Sequence, residues 1–595
     1  MKKMLASCVL VAALSPAGIA QEIMPLSEIK KGMVGIGKTV FAGSEIAEFQ
    51  VEILGVMENT GPKQNMIIAR LSGGPLEKTG VIMGMSGSPV YIGNRVVGAV
   101  SSAFPFAEEA IAGVTPIEEM ISATSAPQSK PGATGADAPP VQFKKQMTLD
   151  ELASPLIQRA GAASGASLFI KTPLSFAGFS PEAIEALSSR LSGFSVVPVV
   201  GATQTQGKFE RAIRDSIEPL RPGSALSVQL VRGDLDLSAV GTVTMISNER
   251  VYAFGHPFFN MGPVQFPMAR AEVIHSMPNL YASFKIASTG EVVGTMDQDR
   301  STAVAGTLGK RPRMIPVNVN LTTSSKSSQQ WRFEIVNDKF LSPILAYVTI
   351  LSAVNSRERE LGQSTLRMSA KVNLEPEGTV IVGDLFAGES GTAAGLASLL
   401  ATPIYYIMNN PYRDVAVGSI DVVIDSEETA KTARLERIEI DRSAYRPGDT
   451  IKMKVHLRGQ LEEPLVEEAS IELPRSLKPG DLLVYVGQGA TLDAMEAAEL
   501  QEAYYPQTYP QLMRALNSLR KNNRIYFRFS DRKPGIVLRG EDLSDMPPAL
   551  TAMVGSRYNT QDIRRIYFSP LLDAELATDY AVSGFRIMPI KILSF

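Results

Sequence analysis

Residues 76–100, LEKTGVIMGMSGSPVYIGNRVVGAV, show the pattern that governs the N-terminal region. Short runs of β-branched and other apolar residues, such as residues 89–92 and 95–100, alternate with glycine-rich turns. The alternation extends outward through residues 23–121, with further runs at 49–56 and 65–71. This pattern predicts a small antiparallel barrel or sandwich.

Composition limits what the rest of the chain can be. The 595 residues, 45% hydrophobic and 20% charged, are enough for several domains with ordinary apolar cores. A net charge of −3 gives no global field to hold a nucleic acid or an anionic membrane surface. One Cys and three His cannot build a cysteine-rich zinc site or a disulfide framework. We therefore expect no metal, no cofactor and no nucleic-acid partner.

The first 20 residues have the features of a signal peptide. Lys2 and Lys3 precede an apolar run at residues 4–14, and Gly18-Ile19-Ala20 provides the small residues that a signal peptidase reads. That run is shorter than the roughly 20 apolar residues a membrane-spanning helix needs, and no later run reaches that length. We expect cleavage before Gln21 and an exported protein, periplasmic or extracellular, with no integral membrane span.

Changes in composition divide the remainder. Residues 21–124 form the first β unit, and the Pro-, Gly- and Ala-rich stretch 125–146 is a predicted linker. Residues 147–205 predict a small α/β insert with a helix from Ser180 to about residue 191, and 206–430 a second β unit with an apolar helix at 340–353. Residues 431–490 predict a β-sandwich and 491–595 a mixed α/β tail. The predicted fold class is mainly β with α/β inserts: two small barrel-like units, a sandwich and a mixed tail.

Residues 32–39, GMVGIGKT, satisfy the phosphate-loop pattern GxxxxGK[ST] in full. A phosphate loop follows a buried strand and opens a helix. Here polar residues 27–31 precede the motif and the β-favouring residues 39–41 follow it. We therefore predict a glycine-rich turn between strands and no ATPase site.

The segment GMSGSP at residues 84–89 carries the first candidate for chemistry. Its small residues allow a tight turn that would direct the amides of Gly84 and Ser86 at one point, as an oxyanion hole requires. Ser86 would then be a nucleophile beside that hole. The alternative is a Ser- and Gly-rich hairpin with no catalytic role.

A serine nucleophile needs a base, and the chain offers only His256, His275 and His456. His256 lies in FGHPF, where Gly255 permits close approach and Pro257 fixes the backbone at the end of a predicted strand. We expect His275, in a predicted helical segment, and His456, in the sandwich, to be packing residues. For His256 catalysis and core packing remain equally open.

Residues 76–100, with GTVT at 241–244 and AFGHP at 253–257, resemble the SpoIVB-type sporulation serine peptidases, whose chemistry is trypsin-like. The resemblance covers residues 26–120 and 215–375, and implies that the two β units form a protease-like core. It implies Ser86 as the nucleophile and His256 as the general base. In that family the His block precedes the Ser block, whereas here Ser86 comes first, so the two halves are permuted.

The family also has an acidic residue shortly before its serine, and residues 70–74, RLSGG, contain none. An acid from another strand could orient the histidine, because triads are defined by geometry and not by chain order. In TMDQDR at 295–300 we take Asp299 as the first candidate and Asp297 as the second. The alternative for Asp299 is a surface ion pair with Arg300.

The resemblance implies an exported serine endopeptidase that cuts a protein or peptide, its own chain included, in signalling or self-processing. It would work through a Ser-His acyl-enzyme mechanism with the amides of Gly84 and Ser86 as the oxyanion hole. The alternative is a catalytically degenerate, protease-like extracytoplasmic protein that binds partners or acts as a scaffold. The missing acid favours this alternative, and the presence of both Ser86 and His256 favours the enzyme.

Overall fold

The computed structural model describes residues 22–594 apart from 105, 126–142, 162–167, 202–218, 357–361, 377, 501–505 and most of 532–568. The predicted signal peptide lies outside the described residues, as does most of the predicted linker. The chain is mainly β, as predicted. Its helices are Leu76–Thr79, Ile117–Thr124, Leu149–Gly161, Pro181–Arg190, Leu341–Asn355, Thr392–Met408, Gly489–Leu500 and Tyr509–Asn517, with a 3-10 turn at Leu26–Glu28.

The N-terminal region forms the predicted antiparallel barrel. Its strands close in the order β1-β2-β3-β6-β5-β4. Alternating residues such as Phe49, Val51 and Ile53 point inward and are buried in the barrel core. The strands are β1 (Val34–Val40), β2 (Ile46–Gly61), β3 (Gln64–Ser72), β4 (Pro89–Ile92), β5 (Arg95–Ala103) and β6 (Ile111–Pro116).

The segment that matches the phosphate-loop pattern belongs to this barrel. Gly32 turns the chain with φ of +85°, and β1 follows at once, paired with β2 and β4. Lys38 forms an ion pair with Glu48 at 3.2 Å. The rest of the motif, residues 34–39, lies within β1 itself, so the prediction of a glycine-rich turn between strands is wrong for most of the motif. A strand stands where a nucleotide site needs a helix N-terminus.

The second β unit is part of a 13-stranded sheet. Within it the strands β9-β12-β13-β14-β11-β10 are neighbours in turn, and a further pairing between β9 and β10 closes them into a ring, which we call the second barrel. The sheet contains β7 (Thr172–Ala177), β8 (Val196–Val200), β9 (Ala225–Gly233), β10 (Asp236–Ser247), β11 (Arg250–Ala253), β12 (Gly262–Met277), β13 (Phe284–Arg300), β14 (Ala303–Leu308), β15 (Met314–Thr322), β16 (Ser328–Val336), β17 (Ser364–Glu375), β18 (Thr379–Gly388) and β19 (Ala416–Glu427).

Helices cover the apolar surface of this sheet. Leu341–Asn355 is buried almost all round, in keeping with its uniformly apolar sequence, and packs against Thr392–Met408. Pro181–Arg190 also contacts Leu341–Asn355 and begins as predicted, with the Ser180 hydroxyl accepting the Ala183 amide at 3.3 Å. No helix in the described part of the chain is long and apolar enough to cross a membrane.

The C-terminal region contains a four-stranded sheet, β23-β22-β20-β30, and a five-stranded sheet, β21-β31-β24-β25-β29. Both share one apolar core. The region that we expected to be a separate tail after residue 490 thus supplies strands to the sandwich sheets. The strands are β20 (Thr432–Ile440), β21 (Ala444–Tyr445), β22 (Thr450–Gly459), β23 (Pro464–Glu472), β24 (Gly480–Gly487), β25 (Arg524–Asp531), β29 (Ser569–Ala577), β30 (Ala581–Ser583) and β31 (Phe585–Ile592), with a small sheet of β26 (Gly535–Leu538), β27 (Glu541–Asp542) and β28 (Ile563–Ile566).

The expectation that His275 lies in a helix is wrong. His275 lies in β12, paired with Ile286 of β13, and is exposed. The run around it lacks a clear period of two because register shifts interrupt the pairing of β12 with β13.

The two barrels meet at Gly87, where their main chains touch. A Cβ on Gly87 would lie 2.0 Å from the Thr242 carbonyl oxygen and 2.5 Å from the Phe254 nitrogen, and its φ is +93°. Only glycine allows this approach, because both obstacles are backbone atoms and L side chains rarely adopt that φ.

Gly87→Ala should therefore lower the free energy of unfolding by about 3 kcal/mol or more, the sum of a steric clash and backbone strain. Gly93→Ala is the matched control, because its φ is +60° and no atom lies within 4 Å of the added Cβ. The control should lose only about 1 kcal/mol. Urea denaturation of both variants measures the difference, and equal losses would contradict the close contact.

Candidate active site

Ser86 lies on a tight turn that leads into β4. Gly84 and Gly87 both have φ of +93° and give the turn its shape. The turn is closed by Ser88, whose amide and hydroxyl both donate to the Met85 carbonyl. It is anchored upstream where the Met83 amide donates to the Ser283 carbonyl at 2.7 Å. The local sequence GMSGSP thus folds into the turn that its glycines predict.

Strand β10 of the second barrel holds this turn from the other side. The Thr242 amide donates to the Ser86 carbonyl at 2.9 Å, and the Thr242 hydroxyl donates to the Gly84 carbonyl at 3.2 Å. The Thr244 hydroxyl donates to the Gly87 carbonyl at 2.7 Å. The carbonyls of the turn are therefore fixed by the neighbouring barrel.

The amides of Gly84 and Ser86 differ from these carbonyls. Within the described ranges neither amide donates a hydrogen bond to another protein group. Two unused donors in one turn are what an oxyanion hole requires. Their geometry toward a substrate carbonyl stays a prediction.

His256 follows the end of β11. Phe254 and Gly255 before it have φ of +68° and +73°. Gly255 lies against β5 of the first barrel, where an added Cβ would be 3.0 Å from the Ala99 Cβ, and its carbonyl accepts the Thr115 hydroxyl at 2.7 Å. The histidine block therefore packs directly on the barrel that carries Ser86, although the two residues are far apart in sequence.

The imidazole of His256 is fully buried. Its Nδ1 lies 2.8 Å from the Pro257 carbonyl oxygen. Because a carbonyl only accepts, Nδ1 carries the proton and Nε2 is left with its lone pair. Burial lowers the pKa of His256 to about 4, with a smaller opposing effect of the Pro257 carbonyl. The ring is thus neutral at pH 7, the state that a general base needs.

Ser86 Oγ and His256 Nε2 share a property with several other buried side-chain atoms of the described residues, such as Ser102 Oγ and Thr172 Oγ1. All of these atoms are buried, and none has a hydrogen-bond partner in the part of the chain that the structure describes. Buried polar atoms are normally paired, so each unpaired one needs an explanation. The structure brings Ser86 and His256 to the contact between the two barrels without a hydrogen bond joining them.

Asp299 does not reach the imidazole. Its carboxylate is fully buried and accepts the backbone amides of Phe258 and Phe259 at 2.8 Å each, and of Met261 at 3.2 Å. Burial raises the pKa of Asp299, and these amides oppose that rise. The carboxylate therefore holds the loop after His256 while the Pro257 carbonyl occupies Nδ1. The alternative of a surface pair with Arg300 is wrong, because Asp299 is not exposed.

Asp297 does not reach it either. It binds Arg250 at 2.6 Å and accepts the Thr307 hydroxyl at 2.8 Å. Both acids come from β13, whose pairing with β14 shifts register between Met296 and Gln298, and the oxygens of each acid are held by other partners.

Lys285 was not anticipated from the sequence. Its amine is fully buried and donates to the Thr39 hydroxyl at 2.8 Å. Its aliphatic stem lies along Gly84, where an added Cβ would be 3.3 Å from Lys285 Cβ. Burial lowers the pKa of Lys285 to about 7. No local pattern in residues 284–288, FKIAS, distinguishes this lysine from an exposed one.

A cavity of about 840 Å³ lies beside the loop that follows His256. Pro257, Phe258 and Asn260 line one side of it, and Ser102 and Thr115 of the first barrel line another. Phe169 also lines the cavity and stacks on the imidazole of His256, with centroids 5.6 Å apart and planes at 27°. The cavity therefore reaches the surroundings of His256 through Phe169.

The buried amine makes stability depend on pH. The unfolded lysine titrates near 10.5 and the folded one near 7, so the unfolded chain binds the extra proton between these values. Stability from this residue therefore rises as the pH rises from about 7 to about 10.5, by about 1.4 kcal/mol per pH unit. Urea denaturation at pH 7, 8 and 9 measures the free energy of unfolding of both proteins. The free energy of the wild type, relative to that of Lys285→Met, should rise by about 1.4 kcal/mol per pH unit. Parallel pH curves for the two proteins would contradict the buried lysine.

Comparison with known proteins gives one match. No curated protein and no solved structure matches the chain. The match is to a family model and covers residues 15–121, which include the first barrel and Ser86 but not His256. The N-terminal region of this chain is thus similar to the SpoIVB peptidase S55 family, as its motifs predicted.

Proposed function

We propose that the protein is a serine endopeptidase in which Ser86 is the nucleophile and His256 the general base. The observation that carries the proposal is the pair Ser86 Oγ and His256 Nε2, two buried atoms that have no hydrogen-bond partner among the described residues. Both lie on segments where the two barrels are in contact. The family match to residues 15–121 supports the same chemistry for the serine segment. The substrate is a protein or peptide, and the order of the two blocks is permuted relative to that family.

In the proposed reaction, Ser86 Oγ forms a bond to the substrate carbonyl carbon as its proton moves to His256 Nε2. The amides of Gly84 and Ser86 donate to the oxyanion. His256 then gives the proton to the leaving amine as the C–N bond breaks, and water cleaves the acyl-enzyme by the same steps. Because the serine and histidine share no hydrogen bond in this structure, substrate binding has to bring them together.

The Pro257 carbonyl takes the place of the acid in this scheme. It fixes the tautomer with a free Nε2, as the acid of a triad does. A neutral carbonyl stabilises the imidazolium less than a carboxylate does, so turnover should be slower than in a full triad. Asp299 contributes as a positioning residue, since it fixes the loop from Phe258 to Met261.

The complete burial of Ser86 and His256 also supports a second candidate function. A protein that has lost the acid and closed the site could bind partners through its barrels or its sandwich without cutting them. In either function we place the protein outside the cytoplasm, in keeping with the family and with the predicted signal peptide.

A fluorophosphonate probe separates the two functions. The purified protein should be labelled at Ser86, and Ser86→Ala should remove the label and all peptidase activity. The melting temperature of Ser86→Ala should barely change, because the lost hydroxyl has no hydrogen-bond partner among the described residues. Ser88→Ala is the control, since that hydroxyl bonds the Met85 carbonyl at 2.5 Å. It should keep the label and lose about 1 kcal/mol of stability. A wild type that is never labelled, also when Phe169→Ala weakens the contact over His256, would contradict the peptidase and favour the binding function.

The pH profile identifies the base. If neutral His256 accepts the proton, kcat/KM should fall on the acid side with an apparent pKa well below 6.5, toward the value of about 4 that burial gives the ring. If the buried amine of Lys285 were the base, the fall would lie near pH 7. An acid-side fall of kcat/KM near pH 7 that shifts to another pH in Lys285→Met would therefore contradict the role of His256.

A further inference from the structure

Residues 168–170 form an added strand on the first barrel. The Ile170 amide donates to the Ser101 carbonyl at 2.8 Å, and the Ala103 amide donates to the Leu168 carbonyl at 2.9 Å. Between them Phe169 lies opposite Ser102 in an antiparallel bridge. The segment therefore uses the last three residues of β5 as a strand edge.

This edge is the one that leads to the candidate nucleophile. Strand β4 and its preceding turn occupy the same side of β5 up to Val100. The Gly87 amide donates to the Val100 carbonyl at 2.7 Å, and the Val100 amide donates to the Ser88 carbonyl at 2.9 Å. The added strand begins at the next residue, Ser101. Its C-terminal residue, Ile170, thus comes next to the turn of Ser86 and Gly87.

The side chains of the added strand alternate as those of a bound peptide would. Ile170 is 3% exposed and belongs to the core cluster that contains Met83 and Met85. Phe169 points the other way and stacks on His256. Leu168 is 40% exposed, and with Lys171 it lines the cavity. One short segment thus fills an apolar pocket, covers the base and occupies the strand edge beside the nucleophile.

We propose that residues 168–170 occupy the site where a peptide substrate binds, and that a substrate binds by displacing them. The substrate adds as an antiparallel strand to residues 101–103 of β5. It places an aliphatic side chain where Ile170 lies and an aromatic side chain against His256. The substrate class is therefore an extended protein segment with an aromatic-aliphatic pair. The binding site stands independently, whereas cleavage there rests on the proposed function.

The added strand competes with substrate in this arrangement. A peptide binds only the fraction of molecules in which the segment has left, so its apparent dissociation constant equals the intrinsic constant divided by that fraction. Weakening the segment should therefore tighten binding of a peptide without any change to β5.

The test uses a fluorescent peptide with the sequence ASLFIKTP, residues 166–173. Its affinity is measured by anisotropy on the full chain carrying Ser86→Ala, which cannot cleave it, with and without Phe169→Ala and Ile170→Ser. We expect the two added changes to tighten binding about 10-fold or more. Phe143→Ala is the matched control, because this phenylalanine packs on the ring of Tyr406 with centroids 5.0 Å apart and planes tilted by 31°. It should leave binding unchanged. A peptide with Asp in place of the isoleucine should not bind.

Cleavage of the same peptide by chains with Ser86 intact separates the two proposals. Tighter binding without cleavage supports the strand site and overturns the proposed function. Cleavage that proceeds equally in all variants, with unchanged binding, keeps the proposed function and overturns the strand site. If the double change abolishes the melting transition, Phe169→Ala alone is measured, because it keeps Ile170 in the core. Its expected gain is about 2- to 10-fold, from loss of one ring stack.

Discussion

The hydrogen bond from the Thr242 amide to the Ser86 carbonyl joins the main chains of two barrels. Around it Thr242 and Thr244 use their hydroxyls on the carbonyls of Gly84 and Gly87, and the Thr115 hydroxyl binds the Gly255 carbonyl in the opposite direction. These hydrogen bonds form the seam between the two barrels. The placement of the serine turn, the histidine strand and the cavity beside them all depends on it. These hydrogen bonds fix position more closely than apolar packing does, since each bond has a required distance and direction.

Burial determines the electrostatics of the site. In the part of the chain that the structure describes, His256 has no charged partner, so desolvation keeps it neutral and leaves its Nε2 able to accept a proton. Among the described residues no carboxylate pairs with the amine of Lys285 either, and burial lowers its pKa to about 7, so about half of its charge is lost at pH 7. Asp299 is surrounded by backbone amides, which supply the donors that a buried carboxylate needs. The site is thus built from polar groups in an apolar setting, with few charges in direct contact.

Local sequence was sufficient for the features that local chemistry determines. The barrel strands, the turn at Ser86 and the helix that begins after Ser180 all follow from glycines, caps and alternation within a few residues. The turn predicted at residues 32–39 did not, because most of that segment is strand β1. The partners of Asp299 could not be read in this way, because they lie about 40 residues upstream on a different strand end. Phe169 and Lys285 acquire their importance only from what the fold places beside them.

The hydrogen bonds of the seam also fix the number of residues in strand β10. Ser86 and His256 are held by β10 and β11 through bonds that alternate along the strand, so the position of each residue is set by register. One residue inserted into β10 between Thr242 and Thr244 would shift the following chain by about 3.3 Å and turn its side chains to the opposite face. Loops elsewhere in the molecule can change in length with little effect. Strand β10 cannot change in length in this way, because Thr242 and Thr244 have to stay opposite the carbonyls of Gly84 and Gly87.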